Sequence, residues 1–319
     1  MATTVLYVDV AGRKALPEPS VLRVAAASTD ISCVTDLQTA LMALRSLPQL
    51  DILVTNTPDL ELLRLLHMSH PAAHAVLVTE DTMERYSAAL EGQEDVLVGH
   101  IIASHTACEW TINELRVTLQ KLLRADLFGI DKYLASGTQL QSRQVTGSGD
   151  RDRLNTLVMG FAEDSRLGQY TSKLVFGITE ELLMNAIYDA PVAGGKVHYA
   201  ELPRTAQVQL QPEEYGSLTF GCDGSIFAIS VADPFGALTR EKLFTYLKKV
   251  LRRNDSAGLI DTKKGGAGLG LFKILYSSHA LICNVDPGRK TEVIALIDIQ
   301  QQVRDFSKMA RSVHFFSTR

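Results

Sequence analysis

The sequence predicts an α/β domain followed by an α+β domain, and three observations carry that reading. Short apolar runs alternate with helix-periodic segments through residues 1–125. A polar stretch bearing glycine and serine follows at 126–150. Beyond it, residues 151–300 run as helices first and mostly extended segments afterwards. Alternation implies a doubly wound parallel sheet covered on both faces, whereas segregated elements imply helices on one face of a mixed sheet. A chain of 319 residues suits this division, because single cores rarely grow so large.

In chain order, residues 5–8 (Val-Leu-Tyr-Val) read as a buried strand and 21–25 (Val-Leu-Arg-Val-Ala) as a second. Residues 36–47 are helix-periodic and stop before Pro48. Strands at 51–55 and 75–79 alternate with helices at 60–68 and 83–90, and the apolar run 96–103 supplies a further strand. A long amphipathic helix spans 107–123. Its stripe of Trp110, Ile112, Leu115 and Leu119 packs on its own domain or forms a homodimer seam, and the first reading is preferred. Residues 126–150 read as a linker, with Ser136-Gly137 and Gly147-Ser148-Gly149 as turn signals. Helices follow at 154–164 and 170–189, then extended segments at 195–201, 205–210, 217–222 and 225–232. A helix at 239–253, a loop, and a glycine run opening a helix to 278 precede a closing hairpin over 279–299. The tail 301–319 ends in Val313-His314-Phe315-Phe316, an apolar tip that docks on a neighbour or folds back.

Composition narrows the function classes. Hydrophobic residues make up 46% and charged residues 21%, as in soluble globular proteins. A net charge of -4 gives no electrostatic case for nucleic acid or an anionic membrane. No apolar run is long enough for insertion into a bilayer, and the N-terminus lacks the pattern of a secretory leader, so a cytoplasmic protein is expected. Cys33, Cys108, Cys222 and Cys283 lack paired spacing and read as free thiols. His67, His70 and His74 are close in sequence, but Pro71 interrupts the helix that would align them, so they read as helix-end and turn residues.

The chemistry-bearing pattern lies in the second half. Glu181 and Asn185 are four apart in an apolar helical segment and therefore share a face. A carboxylate can orient water, and an amide oxygen suits a hard cation such as magnesium. Gly265-Gly266-Ala267-Gly268-Leu269-Gly270-Leu271 offers a backbone that approaches phosphates closely and then opens a helix. With Asp233 between them, these pieces point to a nucleotide site.

Residues 151–300 resemble the ATP-binding (GHKL) domain shared by histidine kinases, heat-shock chaperones, DNA gyrase and the anti-sigma-factor serine kinases. Asn185-Ala186 looks like that family's N box, Asp233-Pro234-Phe235-Gly236-Ala237 its adenine box, and Gly266 to Leu271 its glycine box. Gly288-Arg289-Lys290-Thr291 is similar to its closing motif. The resemblance implies an α/β sandwich with Glu181 as base or water-polarising group and Asn185 as the magnesium ligand. It implies cofactor contacts from Asn185, Asp189, Asp233, Gly236, Lys264, Gly266, Gly268, Leu269, Gly270 and Thr291. Asp233 would accept the adenine amino hydrogen; the other reading of this residue is a cap on the helix after Thr239. Glu180 reads as solvated, Lys263-Lys264 as phosphate-neutralising or plain surface, and 254–265 as a mobile lid. Phe235 and Ala237 stand at both glycine positions of the adenine box, and Lys290 at the second glycine of the closing motif. No histidine lies between His105 and His198, so a histidine autokinase of the family's usual arrangement is excluded, and the anti-sigma-factor type is the nearer likeness.

Residues 1–125 resemble a response-regulator receiver. Asn56 stands where receivers carry the phosphoacceptor Asp, and an amide is a far poorer nucleophile. Asp9 remains of the acidic pair, Thr79 matches the hydroxyl position, and Gly99-His100 stands near the place of the missing lysine. The implied module is a pseudo-receiver that docks without phosphoryl chemistry, and His100 reads as structural rather than as a sensor. The expectation is a cytoplasmic signalling protein coupling this module to a Mg-ATP-binding domain, acting on a protein partner. It either phosphorylates that partner on Ser or Thr, or works as a non-catalytic ATP-dependent switch.

Overall fold

The computed structural model describes residues 3–14, 16–20, 29–104, 108–196, 199, 202, 206–254, 269–300 and 309–318. The chain forms two compact units, Met1–Asp126 with Lys308–His314, and Leu127–Ser307 with Phe315–Arg319.

In the first unit, β1 (Thr3–Val8), β2 (Thr29–Val34), β3 (Ile52–Thr55), β4 (His74–Thr79) and β5 (Gly99–Ala103) pair in parallel in the order β2-β1-β3-β4-β5. That order reverses at β1, which puts the topological switch point between the carboxyl ends of β1 and β3. Val5, Tyr7, Ile52, Val54, Val76, Val78 and Ile102 share one core with Leu115 and Leu119 of the helix Cys108–Arg124. The alternate residues Leu6, Val8, Leu53 and Leu77 are equally buried. Burial on both faces is why these strands read as continuous apolar runs. Leu115 and Leu119 are thereby spent on their own unit rather than on a dimer seam. Asp36 and Asp59 start the helices Leu37–Ser46 and Leu60–Ser69 by accepting from the amides of Thr39 and Leu62, each at 2.8 Å.

The sequence expectations need three corrections here. The second strand of the sheet is Thr29–Val34; residues 21–28, where it was expected, lie outside the described residues. The run 96–103 divides into the end of a short helix, Glu94–Leu97, and β5, which Gly99 opens at φ 80. The 301–319 segment is not a separate tail, because β11 (Ser312–Ser317) is an ordered strand. Its Val313 and His314 pair antiparallel with Ile101 and His100 in the first unit.

In the second unit, β6 (Leu140–Val145), β7 (Gly216–Cys222), β8 (Ile226–Asp233), β9 (Ala280–Asp286) and β10 (Lys290–Asp298) lie in the order β9-β10-β8-β7-β6, each pairing antiparallel. The helices Arg151–Asp164, Gln169–Met184 and Leu269–Leu275 supply the helical layer, where Phe161 meets the rings of Phe220 and Phe227 at 5.1 and 5.9 Å. Residues 126–150, expected as a linker, instead belong to this unit from Leu127 onward. Leu127, Ile130, Tyr133 and Leu134 are buried, and the Gly129 amide donates to Glu292 at 2.9 Å. Glu292 also accepts from Asn284 Nδ2, so this buried carboxylate is satisfied. The stretch then closes the sheet as β6. Of the extended segment expected at 195–201 only 195, 196 and 199 are described; residues 206–210 are described and form no strand, making only an isolated bridge between Gln209 and Gly147.

Candidate functional site

The helix Gln169–Met184 buries Val175, Ile178, Leu182 and Leu183 and continues directly into a π-helical turn, Asn185–Asp189. Such wide turns recur at functional sites because they offset side chains from the regular helical register. Glu181 and Asn185 both face the first turn of the helix Leu269–Leu275. A Cβ at Gly270 would stand 2.9 Å from Asn185 Oδ1 and 2.9 Å from Glu181 Oε2, so glycine is what admits this approach. Glu181 Oε1 is ion-paired with Lys273 Nζ at 2.5 Å. Among the described residues, Asn185 Nδ2 is buried without a hydrogen-bond partner.

Beside this contact opens a cavity of about 630 Å³. Asn185, Asp189, Asp233 and Thr291 line it, with apolar walls from Leu182, Val231, Leu271 and Val293. Asp233 ends β8 directly opposite Thr291 on β10. Burial pushes its carboxyl up to about 6, against hydrogen bonds from the Phe235 amide, the Thr291 hydroxyl and the Gly236 amide that favour the ionised form. Asp233 does not cap the next helix, since Thr239 Oγ1 accepts from the Lys242 amide at 3.2 Å. Its carboxylate therefore faces a sheltered space rather than serving the local backbone alone.

Several expected site residues sit elsewhere. Glu181 is outside the cavity lining, held by Lys273. Gly236 is turned away from the cavity. It has φ 59, and a Cβ there would come within 2.2 Å of Asp286 O and 2.6 Å of the Gly288 and Arg289 amides, so its close approach is to the hairpin turn. Leu269 begins its helix without lining the cavity, whereas Leu271 does. Lys264, Gly266 and Gly268 lie outside the described residues, as does the lid expected at 254–265 from residue 255 on. Glu180 is not solvated: it is part-buried and bonded to Arg151 Nη2 at 2.5 Å and to Asn155 Nδ2. The cavity also takes Lys242 and Tyr246 from the helix Arg240–Asn254, which the motif reading passed over. Their i, i+4 spacing places them on one helix face, and that was the available signal.

In the first unit, Asn56 fills the switch-point crevice and is 2% exposed. Its Nδ2 donates to Asp9 Oδ1 at 2.8 Å and to Val10 O at 3.1 Å, and its Oδ1 accepts from the Val10 amide at 2.9 Å. Asp9 Oδ1 also accepts from the Leu16 amide. Thr79 Oγ1 accepts from the Asp81 amide at 3.0 Å. Gly99-His100 opens β5 rather than following it; the position after that strand is Ser104, whose carbonyl accepts from Lys14 Nζ at 3.0 Å. His100 is buried between His74 and His314, with ring centroids at 6.2 and 5.7 Å.

Among the described residues, no helix is long and apolar enough to cross a membrane, and no three His, Cys, Asp or Glu side chains group as a metal site. No family model matches the chain, and no curated protein matches it. Among solved structures, that of the SiaB–SiaC complex from Pseudomonas aeruginosa contains a similar chain. The match has a TM-score of 0.30 at 11% identity, covering 50% of this chain and 88% of that one. The functional reading therefore rests on the site itself.

Proposed function

We propose that the second unit binds a magnesium–nucleotide complex, ATP by its motif resemblance, in a cytoplasmic signalling protein whose first unit is a non-phosphorylatable docking module for a protein partner. The observation that carries this reading is the convergence of Asn185, Asp189, Asp233 and Thr291 on one cavity with apolar walls. Apolar walls suit a base, Asp233 offers an acceptor for an exocyclic amino group, and Asn185 and Asp189 offer oxygens to a hard cation. The buried amide of Asn185, without a partner among the described residues, fits a group that is satisfied with ligand present. Mg-ATP would bring the transferable phosphoryl group and the cation that neutralises its charge.

In the catalytic form of this reading, Glu181 takes the proton of a partner Ser or Thr hydroxyl, and it can do so only once Lys273 releases it. The Glu181–Lys273 pair, together with Phe235 and Ala237 in place of glycines, favours a second form: a switch that binds nucleotide without transferring phosphate. Thermal shift with Mg-ATP tests the common claim. Ligand at a hundred times its dissociation constant stabilises by about 2.7 kcal/mol. No shift means no nucleotide site. Given a shift, γ-phosphate transfer that is lost in Glu181→Ala supports the kinase form, and absence of transfer in the native chain supports the switch.

A further inference from the structure

Two residues outside the cavity bear on how its acceptor is aimed. Asp233 precedes Pro234, which keeps it in the extended backbone that ends β8 and contributes no N–H of its own. The local donors to the carboxylate are therefore the amide of Phe235, 2.9 Å from Asp233 Oδ1, and that of Gly236. Where the carboxylate points depends on where those two amides are held.

Each is held from a different side. Gly236 is backed by the closing hairpin, and its carbonyl accepts from the Gly288 amide at 3.1 Å. Phe235 is seated on Gly194, the residue that ends the short helix Ala190–Ala193. A Cβ at Gly194 would stand 2.5 Å from Cδ1, 2.9 Å from Cγ and 3.0 Å from Cβ of Phe235, so the root of the ring rests on the Gly194 backbone. Gly194 has φ -78, a conformation open to any residue. The turn's own demand for glycine falls on Gly195, at φ 88. What position 194 requires is the absence of a Cβ.

The same short helix gives Ala190, Val192 and Ala193 to the cavity wall, while Phe235 lies outside that lining. One contact thus ties the wall to the loop that carries the acceptor. We propose that Phe235, seated on Gly194, is a positioning residue that aims the Asp233 carboxylate into the cavity and makes the site selective for a base with an exocyclic amino group. This inference rests on the nucleotide reading above and adds to it the residue that fixes base choice. Phe235 touches no ligand; displacing it moves the amides that orient Asp233, and a hydrogen bond weakens steeply once its angle is lost.

The test uses the full chain with Mg-ATP and with the magnesium complex of purine riboside triphosphate, which lacks only the amino group, both titrated calorimetrically. The native chain should prefer ATP by about tenfold or more, because a site built to accept from a donor rejects the analogue without one. Phe235→Ala and Gly194→Ala should each lose that preference through weaker ATP binding, with affinity for the analogue unchanged. Phe235→Leu keeps an apolar body on Gly194 and should retain the preference. A role in stability alone would weaken both ligands equally. Gly194→Ala carries the test should circular dichroism show Phe235→Ala unfolded. A preference kept intact in both alanine variants overturns the inference and leaves the nucleotide site standing, as does equal weakening of the two ligands. A native chain that binds both ligands equally overturns it by removing Asp233 from base recognition, and one that binds neither overturns the nucleotide reading with it.

Discussion

Replacing Asp233 with Asn separates the energetic cost of the cavity from its use. The Asp233 carboxyl has a folded value of about 6 against an ordinary 3.8, raised by burial. Between those values the folded chain holds a proton that the unfolded chain has lost, so stability falls as pH rises through the window from about 4 to 6 and levels off above it. The gap corresponds to about 3 kcal/mol at 1.36 kcal/mol per unit, an upper value because the hydrogen bonds that hold the carboxylate also hold its neighbours. An Asn side chain keeps the shape and an acceptor for the Phe235 amide and removes the charge. Asp233→Asn should therefore be more stable than the native chain at pH 7.5, by up to about 3 kcal/mol, with the difference shrinking toward pH 4. Nucleotide affinity should move the other way and fall about tenfold or more, since a hydrogen bond to a charged acceptor is worth about 1.5–3 kcal/mol. Urea unfolding of both proteins across pH 4–8, paired with calorimetric titration of Mg-ATP, reads both effects. Parallel stability profiles would refute the burial argument, and unchanged affinity would remove Asp233 from the binding site.

The two glycine positions should respond differently to alanine. Gly270→Ala pushes against the ends of two side chains, so stability should change by no more than about 1 kcal/mol while Mg-ATP affinity drops. Gly236→Ala meets backbone atoms at a positive φ, and a loss of about 3 kcal/mol in chemical denaturation is expected. Asn56→Asp replaces the donor to Asp9 with a buried carboxylate facing it and should cost about 3 kcal/mol at neutral pH, partly recovered on adding magnesium, by thermal melts. Lys273→Met removes an ion pair whose lysine is half exposed. Stability should hold within about 1 kcal/mol, and γ-phosphate release should rise if Glu181 is the base.

What the sequence discloses depends on how locally a residue's role is written. β1, β3 and β4 are legible because both faces are buried, leaving unbroken apolar runs such as Ile52-Leu53-Val54. β2, Thr-Asp-Ile-Ser-Cys-Val, alternates polar and apolar residues at the sheet edge and gives no such run. Residues 127–145 look like linker because their apolar members are sparse; their partners lie far along the chain, 88 residues between Ala135 and Asp223 and 163 between Gly129 and the Glu292 carboxylate. That Asn185, Asp189, Asp233 and Thr291 share a cavity is legible from motif order, whereas what the cavity holds is not. Gly236 shows the limit of motif reading: its conformation serves a turn that only the folded hairpin creates. Glu180 shows another, because Arg151 and Asn155 reach it from a different helix.

Each unit has a carboxylate at the position that its motif resemblance assigns to phosphoryl chemistry, and each is already engaged. Asp9 accepts from the buried amide of Asn56, a neutral donor fixed by three further backbone contacts, and nothing short of substitution frees it. Glu181 is engaged by Lys273, whose side chain is 51% exposed, and exposed ion pairs are worth at most about 1 kcal/mol. The first arrangement is permanent, while the second yields to any anion that competes for the lysine. A nucleotide phosphate drawing Lys273 aside would leave Glu181 beside Gly270 and free to accept a proton. If the second unit transfers phosphate, its rate should then rise with a competing anion in the native chain and lose that dependence in Lys273→Met. Equal anion dependence in both proteins would place the control elsewhere.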